Sequence, residues 1–281
     1  MQYKNQIFTI AFTTVILIIL VKIFTFGNNE YIEFKELPPK YNVTIDKYFD
    51  IKYPNPIKNE NTLPNAIPSI VSNKTIYLTF DDGPSYLTNE ILDILKEENV
   101  PATFFIVGRM VDGYADVVWR TYNDGHTVAL HTHTHNYPYI YADDENYFND
   151  LRDVSNTLYN ITGKRSRILR LPGGSSNGIS RQYNLGIMTR ITNNLEINDY
   201  YYFDWNIDSG DASGKLTSEE IYNYTVGSLK FQHNIVLMHD TSTKKTTVEA
   251  LRDIIWYGKE NGYTFARITK DTPTTHHKVL N

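Results

Sequence analysis

The chain of 281 residues contains no cysteine. Disulfides and thiolate chemistry are therefore excluded, and any bound metal must rest on histidine, aspartate or glutamate. The lack of cysteine does not assign a compartment, because cytosolic and exported proteins alike can do without it. The chain also lacks a basic tract, and its net charge is −5. That argues against nucleic acid as a partner, although net charge says nothing about fold. No repeat of about 20–50 residues, the signature of stacked units, is visible. What abounds is tyrosine, at 22 residues. Tyrosine suits a sugar-binding surface, yet here it reflects a composition that favours Asn, Ile, Lys and Tyr throughout.

One long apolar run stands at the start. Residues 7–26 read IFTIAFTTVILIILVKIFTF, 20 residues with a single charge, Lys22. About 20 apolar residues span a bilayer. The apolar part of a signal peptide covers only about 7–15 and ends at a small-residue cleavage site, and no convincing site follows here. Residues 1–28 are thus read as an uncleaved membrane anchor, with a cleaved signal peptide as the alternative. Lys4 and the amino terminus favour a cytoplasmic start, and Lys22 opposes it. Residues 29–72 are polar and punctuated by prolines, among them Pro38, Pro39, Pro54, Pro56, Pro64 and Pro68. They read as a partly extended stalk; the alternative is an arm packed on the domain that follows.

From residue 74 short apolar runs alternate with helix-like segments. Strands are expected at 75–80, 102–107, 127–130, 167–171, 201–207, 235–238 and 264–268, and helices at 89–98, 115–123, 144–160 and 248–261. This alternation predicts βαβ units around a parallel sheet, in numbers that suit closure into a barrel. A barrel carries its chemistry at the C-terminal ends of its strands, so polar clusters should follow the apolar runs directly.

They do. After TIYLTF come Asp81, Asp82, Gly83 and Pro84. Adjacent carboxylates repel, and a cation bound by one relieves the pair while the other stays free to act as a base; an ordinary Asp-Gly-Pro turn is the plain alternative. After TVAL come His131, His133 and His135, three histidines in five residues. An i, i+4 pair converges on one ion if the segment turns helically, and imidazole with carboxylate suits zinc or a similar divalent metal. A zincin would need Glu after the first histidine on a helix, and Thr132 stands there instead. After RILRL come Pro172, Gly173 and Gly174, with Arg170 one residue back from the strand end. Such an arginine can grip a carboxylate in bidentate fashion, and the glycines allow close backbone approach to a ligand. Asp204, Asp208 and Asp211 place three acids after the next run, and His239 and Asp240 follow IVLM. A histidine at a strand end suits acid–base work near neutrality.

Taken in order, Thr79-Phe80-Asp81-Asp82-Gly83-Pro84, His131-Thr132-x-x-His135, Arg170-x-Pro172-Gly173-Gly174, the 208–211 segment and Leu237-Met238-His239-Asp240 resemble the five motifs of the polysaccharide deacetylase family, the NodB-homology domain of carbohydrate esterase family four. The resemblance covers about residues 73–270. It implies an α/β fold, a distorted (β/α) barrel with fewer than eight complete units, in a catalytic domain at 73–281 behind an N-terminal transmembrane helix. It implies that Asp82, His131 and His135 bind a divalent metal, zinc ahead of cobalt or nickel. Asp81 would be the general base, oriented by Arg170, and His239 the general acid, supported by Asp211. Gly173 would offer a backbone N–H to the oxyanion, and Leu237 would line the acetyl-methyl pocket. His133 matches a variable position. Two departures stand out. Related sequences often carry an aromatic residue where Gly173 stands, and the fourth motif commonly ends Asp-Trp, whereas Ala212 follows Asp211 here.

The expected activity is hydrolysis of N-acetyl groups from N-acetylglucosamine units, foremost in peptidoglycan, by a single-pass membrane protein with its catalytic domain outside the cell. A chitin-like polymer, exported poly-N-acetylglucosamine and O-acetylated xylan are the alternative substrates. A non-catalytic carbohydrate-binding wall protein is the alternative of another class, and a cytosolic small-molecule deacetylase a third.

Overall fold

Residues 74–281 are described by a computed structural model. The expected anchor at 7–26 and stalk at 29–72 lie outside the described residues. Among the described residues no helix is long and apolar enough to cross a membrane.

The apolar runs become strands and the segments between them become helices. In chain order they are β1 (Thr75–Asp81), α1 (Tyr86–Glu97), β2 (Thr103–Ile106), α2 (Ala115–Asn123), β3 (Thr127–Leu130), the short α3 (Tyr137–Ile140), α4 (Asp144–Thr162), β4 (Ile168–Leu169), α5 (Ile187–Ile197), β5 (Tyr201–Tyr202), β6 (Ile207–Asp208), α6 (Ser218–Ser228), β7 (His233–His239), α7 (Lys245–Glu260) and β8 (Thr264–Phe265). α1 buries Leu87, Thr88, Ile91, Leu92 and Leu95, one stripe at helical spacing. It starts at Ser85, whose hydroxyl accepts from the Leu87 N–H. α4 ends at Gly163, whose φ of 69° stops the helix in the left-handed region.

All strand pairs are parallel, in the order β5-β4-β3-β2-β1-β7-β6. β8 shares one edge of β1 with β2: residues 75–76 pair β8, and residues 79–81 pair β2. β5 and β6 stand at opposite ends of this order, yet only residues 203–206 join them. A link of that length reaches at most roughly 17 Å. The two ends must therefore approach each other, and the sheet curls into an open half-barrel.

The expected single strand at 201–207 is thus two strands at opposite ends of the sheet. The reason is local. The carbonyls of Phe203 and Asp204 accept from the Arg170 guanidinium, and the Asn206 side chain bonds His233 O and the Ile235 N–H. These groups are taken by side chains and leave no continuous ladder.

The period of two along each strand sorts the side chains. Ile76, Leu78 and Phe80 join the main core against the helices, with Phe104, Ile106, Val128 and Leu130. Tyr77, Phe105, Ala129 and Ile235 face inward and form a small second cluster with Phe203 and Ile268. The same inward parity continues to Asp81, His131 and His239 at the strand ends.

Candidate active site and metal centre

The centre of the site is Arg170, with no exposed surface. Its Nη1 donates to Asp81 Oδ1 at 2.7 Å and to Thr79 Oγ1 at 2.8 Å; Nε donates to Phe203 O at 2.9 Å and Nη2 to Asp204 O at 3.0 Å. The expected bidentate grip on a carboxylate is therefore replaced by a single bond to Asp81. The rest of the fork binds the Thr79 hydroxyl and the backbone at the seam between the sheet ends. The guanidinium also lies 4.2 Å from the centre of the Phe105 ring. With Oδ1 held by Arg170, Asp81 keeps Oδ2 for other work.

Beside it, Asp82 adopts φ 72° and turns its carboxylate across the strand ends. Its Oδ1 lies 3.4 Å from His131 Nε2 and 3.3 Å from His135 Nε2. One ligand atom from each of Asp82, His131 and His135 lies within 4.8 Å of the others. His131 Nδ1 is 2.8 Å from Arg170 O. A carbonyl can only accept, so Nδ1 carries a hydrogen and Nε2 is the nitrogen turned toward Asp82; burial lowers this imidazole, but the Asp81 charge and the Asp82 hydrogen bond outweigh it and raise it, so Nε2 holds a proton that a bound metal would displace. Burial holds the His135 imidazole down to about 4, helped by the nearby His131, so it is neutral near pH 7 and able to ligate. Burial raises the Asp82 carboxyl, but hydrogen bonding and charge from His131, with the charges of His135 and His239, outweigh it and hold Asp82 well below the usual carboxylate range. A carboxylate and two imidazoles whose Nε2 atoms face it fit a divalent ion.

The 131–135 segment is no helical turn. Thr132 and His135 have φ of 68° and 52°. The loop is pinned from α4 by Asp150, which is 1% exposed. Its carboxylate accepts from the His133 N–H, from the Thr134 N–H and, at 2.6 Å, from the Thr134 hydroxyl. His133 turns away from the cluster and packs against Gly108.

On the other side, His239 pairs with Asp81 in register across β1 and β7. Its Nδ1 is 2.7 Å from Asp211 Oδ1, and Asp211 Oδ2 accepts from the His239 N–H at 2.8 Å and from Thr247 Oγ1 at 2.8 Å. Burial opposes charge on His239, but the Asp211 hydrogen bond and charge, with Asp81 and Asp82, raise it to about 9. Nδ1 is engaged, so Nε2 is the nitrogen free to exchange a proton. Of the three acids in the 204–211 stretch only Asp211 brings its carboxylate to the site. Asp204 is buried and accepts from the Ser175 and His277 N–H groups. Asp208 is exposed and accepts from the Gly210 N–H.

Leu237 is buried on the same strand face as His239 and belongs to neither apolar cluster. Gly173, at φ 76°, is exposed, and among the described residues its N–H makes no hydrogen bond. Asp240, which the motif reading left without a role, ties β7 to the Asp81–Ser85 loop. Its N–H donates to Asp81 O, its carbonyl accepts from Ser85 Oγ, and its Oδ2 accepts from Thr88 Oγ1 at 2.8 Å. Burial raises its carboxyl to about 7. Gly83 packs so closely on this carboxyl that a Cβ would overlap it.

Comparison with known proteins points to one family. Residues 69–187 match the polysaccharide deacetylase family. A peptidoglycan-N-acetylglucosamine deacetylase of Bacillus cereus is 33% identical over 202 residues, covering 68% of this chain and 68% of that protein. The catalytic domain of a peptidoglycan N-acetylglucosamine deacetylase from Eubacterium rectale is similar in structure, with a TM-score of 0.72 at 39% identity over 78% of this chain and 99% of that one. A polysaccharide deacetylase from Bacillus cereus gives a TM-score of 0.65 at 31% identity, over 73% and 97% of the two chains.

Proposed function

The chain belongs to the polysaccharide deacetylase family, and from that premise we propose that it removes N-acetyl groups from N-acetylglucosamine units of an envelope polysaccharide, foremost peptidoglycan. One observation carries the reading. Asp81, braced by Arg170, and His239, braced by Asp211, are register partners that flank the Asp82, His131 and His135 cluster.

Asp82, His131 and His135 would hold a divalent ion, zinc first. Such an ion polarises the acetyl carbonyl and makes a water molecule acidic. Asp81 Oδ2 accepts the proton that water loses as its oxygen bonds the acetyl carbon. The Gly173 N–H donates to the oxygen that becomes negative. His239 delivers the proton on Nε2 to the departing nitrogen as the carbon–nitrogen bond breaks, giving acetate and a free amine. Asp211 keeps His239 protonated near neutrality. A nearby dication repels the imidazolium, so in the loaded protein His239 titrates below about 9. Leu237, on the same face as His239, borders the acetyl methyl.

The apolar run at 7–26, with Lys22 as its one charge, supports a single-pass anchor, and residues 29–72 a stalk that holds the domain against the wall. The substrates named for the relatives support the choice of peptidoglycan.

The test is acetate release from purified peptidoglycan by the full chain in detergent, comparing metal-stripped, zinc-reloaded and Asp81→Asn protein. Zinc-dependent release that vanishes in Asp81→Asn is expected. A fully zinc-loaded chain that releases no acetate from peptidoglycan would overturn that substrate.

A further inference from the structure

Two things keep a side chain off position 173: its φ of 76°, and the close approach of the residue that opens α3. A Cβ built on Gly173 would stand 2.7 Å from Tyr137 Oη and 3.0 Å from Asn177 Nδ2. The Tyr137 hydroxyl therefore occupies the space that a side chain at 173 would need. Its ring is braced on two sides. The centroid lies 5.5 Å from that of His135, and 5.3 Å from that of Tyr141 in an edge-on contact. Tyr141 is fully buried and donates its hydroxyl to Pro172 O at 2.7 Å, so the brace ends on the loop that carries Gly173.

Two donors are left over. No described residue accepts a hydrogen bond from Tyr137 Oη, and the Gly173 N–H has no acceptor either. Tyr137 is only half-buried, so its hydroxyl is open to a ligand. A phenol held rigidly beside one imidazole of the candidate metal cluster, with a free N–H next to it, is suited to an oxygen that only accepts. An amide carbonyl is such an oxygen. The deacetylated sugar keeps its hydroxyls and lacks this carbonyl, so the pair of sugars separates the two kinds of partner.

Resting on the deacetylase reading, we propose that Tyr137 is a substrate-binding residue that donates a hydrogen bond to the acetyl carbonyl oxygen, alongside the Gly173 N–H. Tyr137 thereby supplies from the start of α3 the aromatic ring that position 173 lacks.

The probe is the zinc-loaded full chain in an Asp81→Asn background, which holds the substrate without turning it over. Calorimetry measures binding of the N-acetylglucosamine tetramer and of the deacetylated glucosamine tetramer, with and without Tyr137→Phe, and zinc content is measured on each sample. Loss of one hydrogen bond should weaken binding of the acetylated tetramer about threefold to tenfold and leave the deacetylated one unchanged. With Asp81 restored, Tyr137→Phe should lower kcat/KM by about tenfold to a hundredfold, because the bond strengthens as the oxygen gains charge. Equal binding of the acetylated tetramer, equal loss on both tetramers, or loss that tracks missing zinc would each overturn the contact, as would failure of the Asp81→Asn chain to bind the acetylated tetramer. Acetate release by the unaltered chain tests the reaction separately; a binding difference without release would keep the contact and remove the reaction.

Discussion

Replacing Asp211 by asparagine removes one charge and nearly preserves shape. The native carboxylate is 2% exposed and meets His239 through Nδ1 at 2.7 Å and through the N–H at 2.8 Å. Burial by itself pushes His239 down, and Asp211 is the chief influence that reverses this and raises it to about 9. A hydrogen bond to a charged group contributes about 1.5–3 kcal/mol, which corresponds to about 1–2 pH units. In Asp211→Asn the imidazole should therefore titrate lower by about that much, and burial is then less opposed. Acid catalysis needs the protonated imidazole, so activity persists below its pKa and is lost above it. The alkaline limb of kcat should move down by about 1–2 pH units. Well above both pKa values kcat should fall about tenfold to a hundredfold, with a much smaller loss near about pH 6. The assay is acetate release across pH at verified, equal zinc content, which cancels the repulsion of the metal in the comparison. A uniform loss with an unmoved alkaline limb would refute the reasoning and reduce Asp211 to a structural bond. Stability of the metal-free chain provides a second readout. The folded value of His239 lies above its ordinary 6.5, so its contribution is full below about 6.5 and is lost as pH rises through about 9. Asp211→Asn should flatten that part of the Tm-against-pH curve.

Three further substitutions probe the scaffold. Gly83→Ala forces a methyl into the buried Asp240 carboxyl; urea unfolding should show about 1–3 kcal/mol of destabilisation, and zinc should bind more weakly because Asp82 is the adjacent residue. Asp150→Ala strips the acceptor from the His133 and Thr134 N–H groups; chelator competition should show zinc affinity reduced about 10–100-fold, and unchanged affinity would sink the idea that α4 holds the ligand loop. Arg170→Met leaves Asp81 buried without its partner; a loss of about 3–5 kcal/mol is expected, and a urea midpoint equal to that of the unaltered chain would contradict it.

The relation between pattern and structure is clearest at β1, β3 and β7. Each is an apolar run whose last inward position carries a polar residue, and the sequence shows both at once. Asp81, Asp82, His131, His135 and His239 could be picked out for that reason. α6 was legible in principle through its Thr217 and Glu220 capping box, and α5 through the spacing of Ile187, Ile191 and Leu195; both were masked by polar, Asn- and Tyr-rich surroundings. The division of 201–207 into β5 and β6 was not legible. It depends on Arg170 drawing two backbone carbonyls toward it from across the barrel.

Composition and local order thus determined what could be present: a metal site without sulfur, acids and imidazoles at strand ends, and an alternation of strands and helices with its hydrophobic period. These are properties of neighbours in the chain, set by side-chain chemistry and the periods of two and 3.6 residues. Only the tertiary structure decided how they work together. Asp150 clamps a loop 16 residues away, Asp211 meets a histidine 28 residues on, and Tyr137 takes the space left open at Gly173. Such contacts carry no local signature, because their strength comes from burial and from distances that exist only once the sheet has curled.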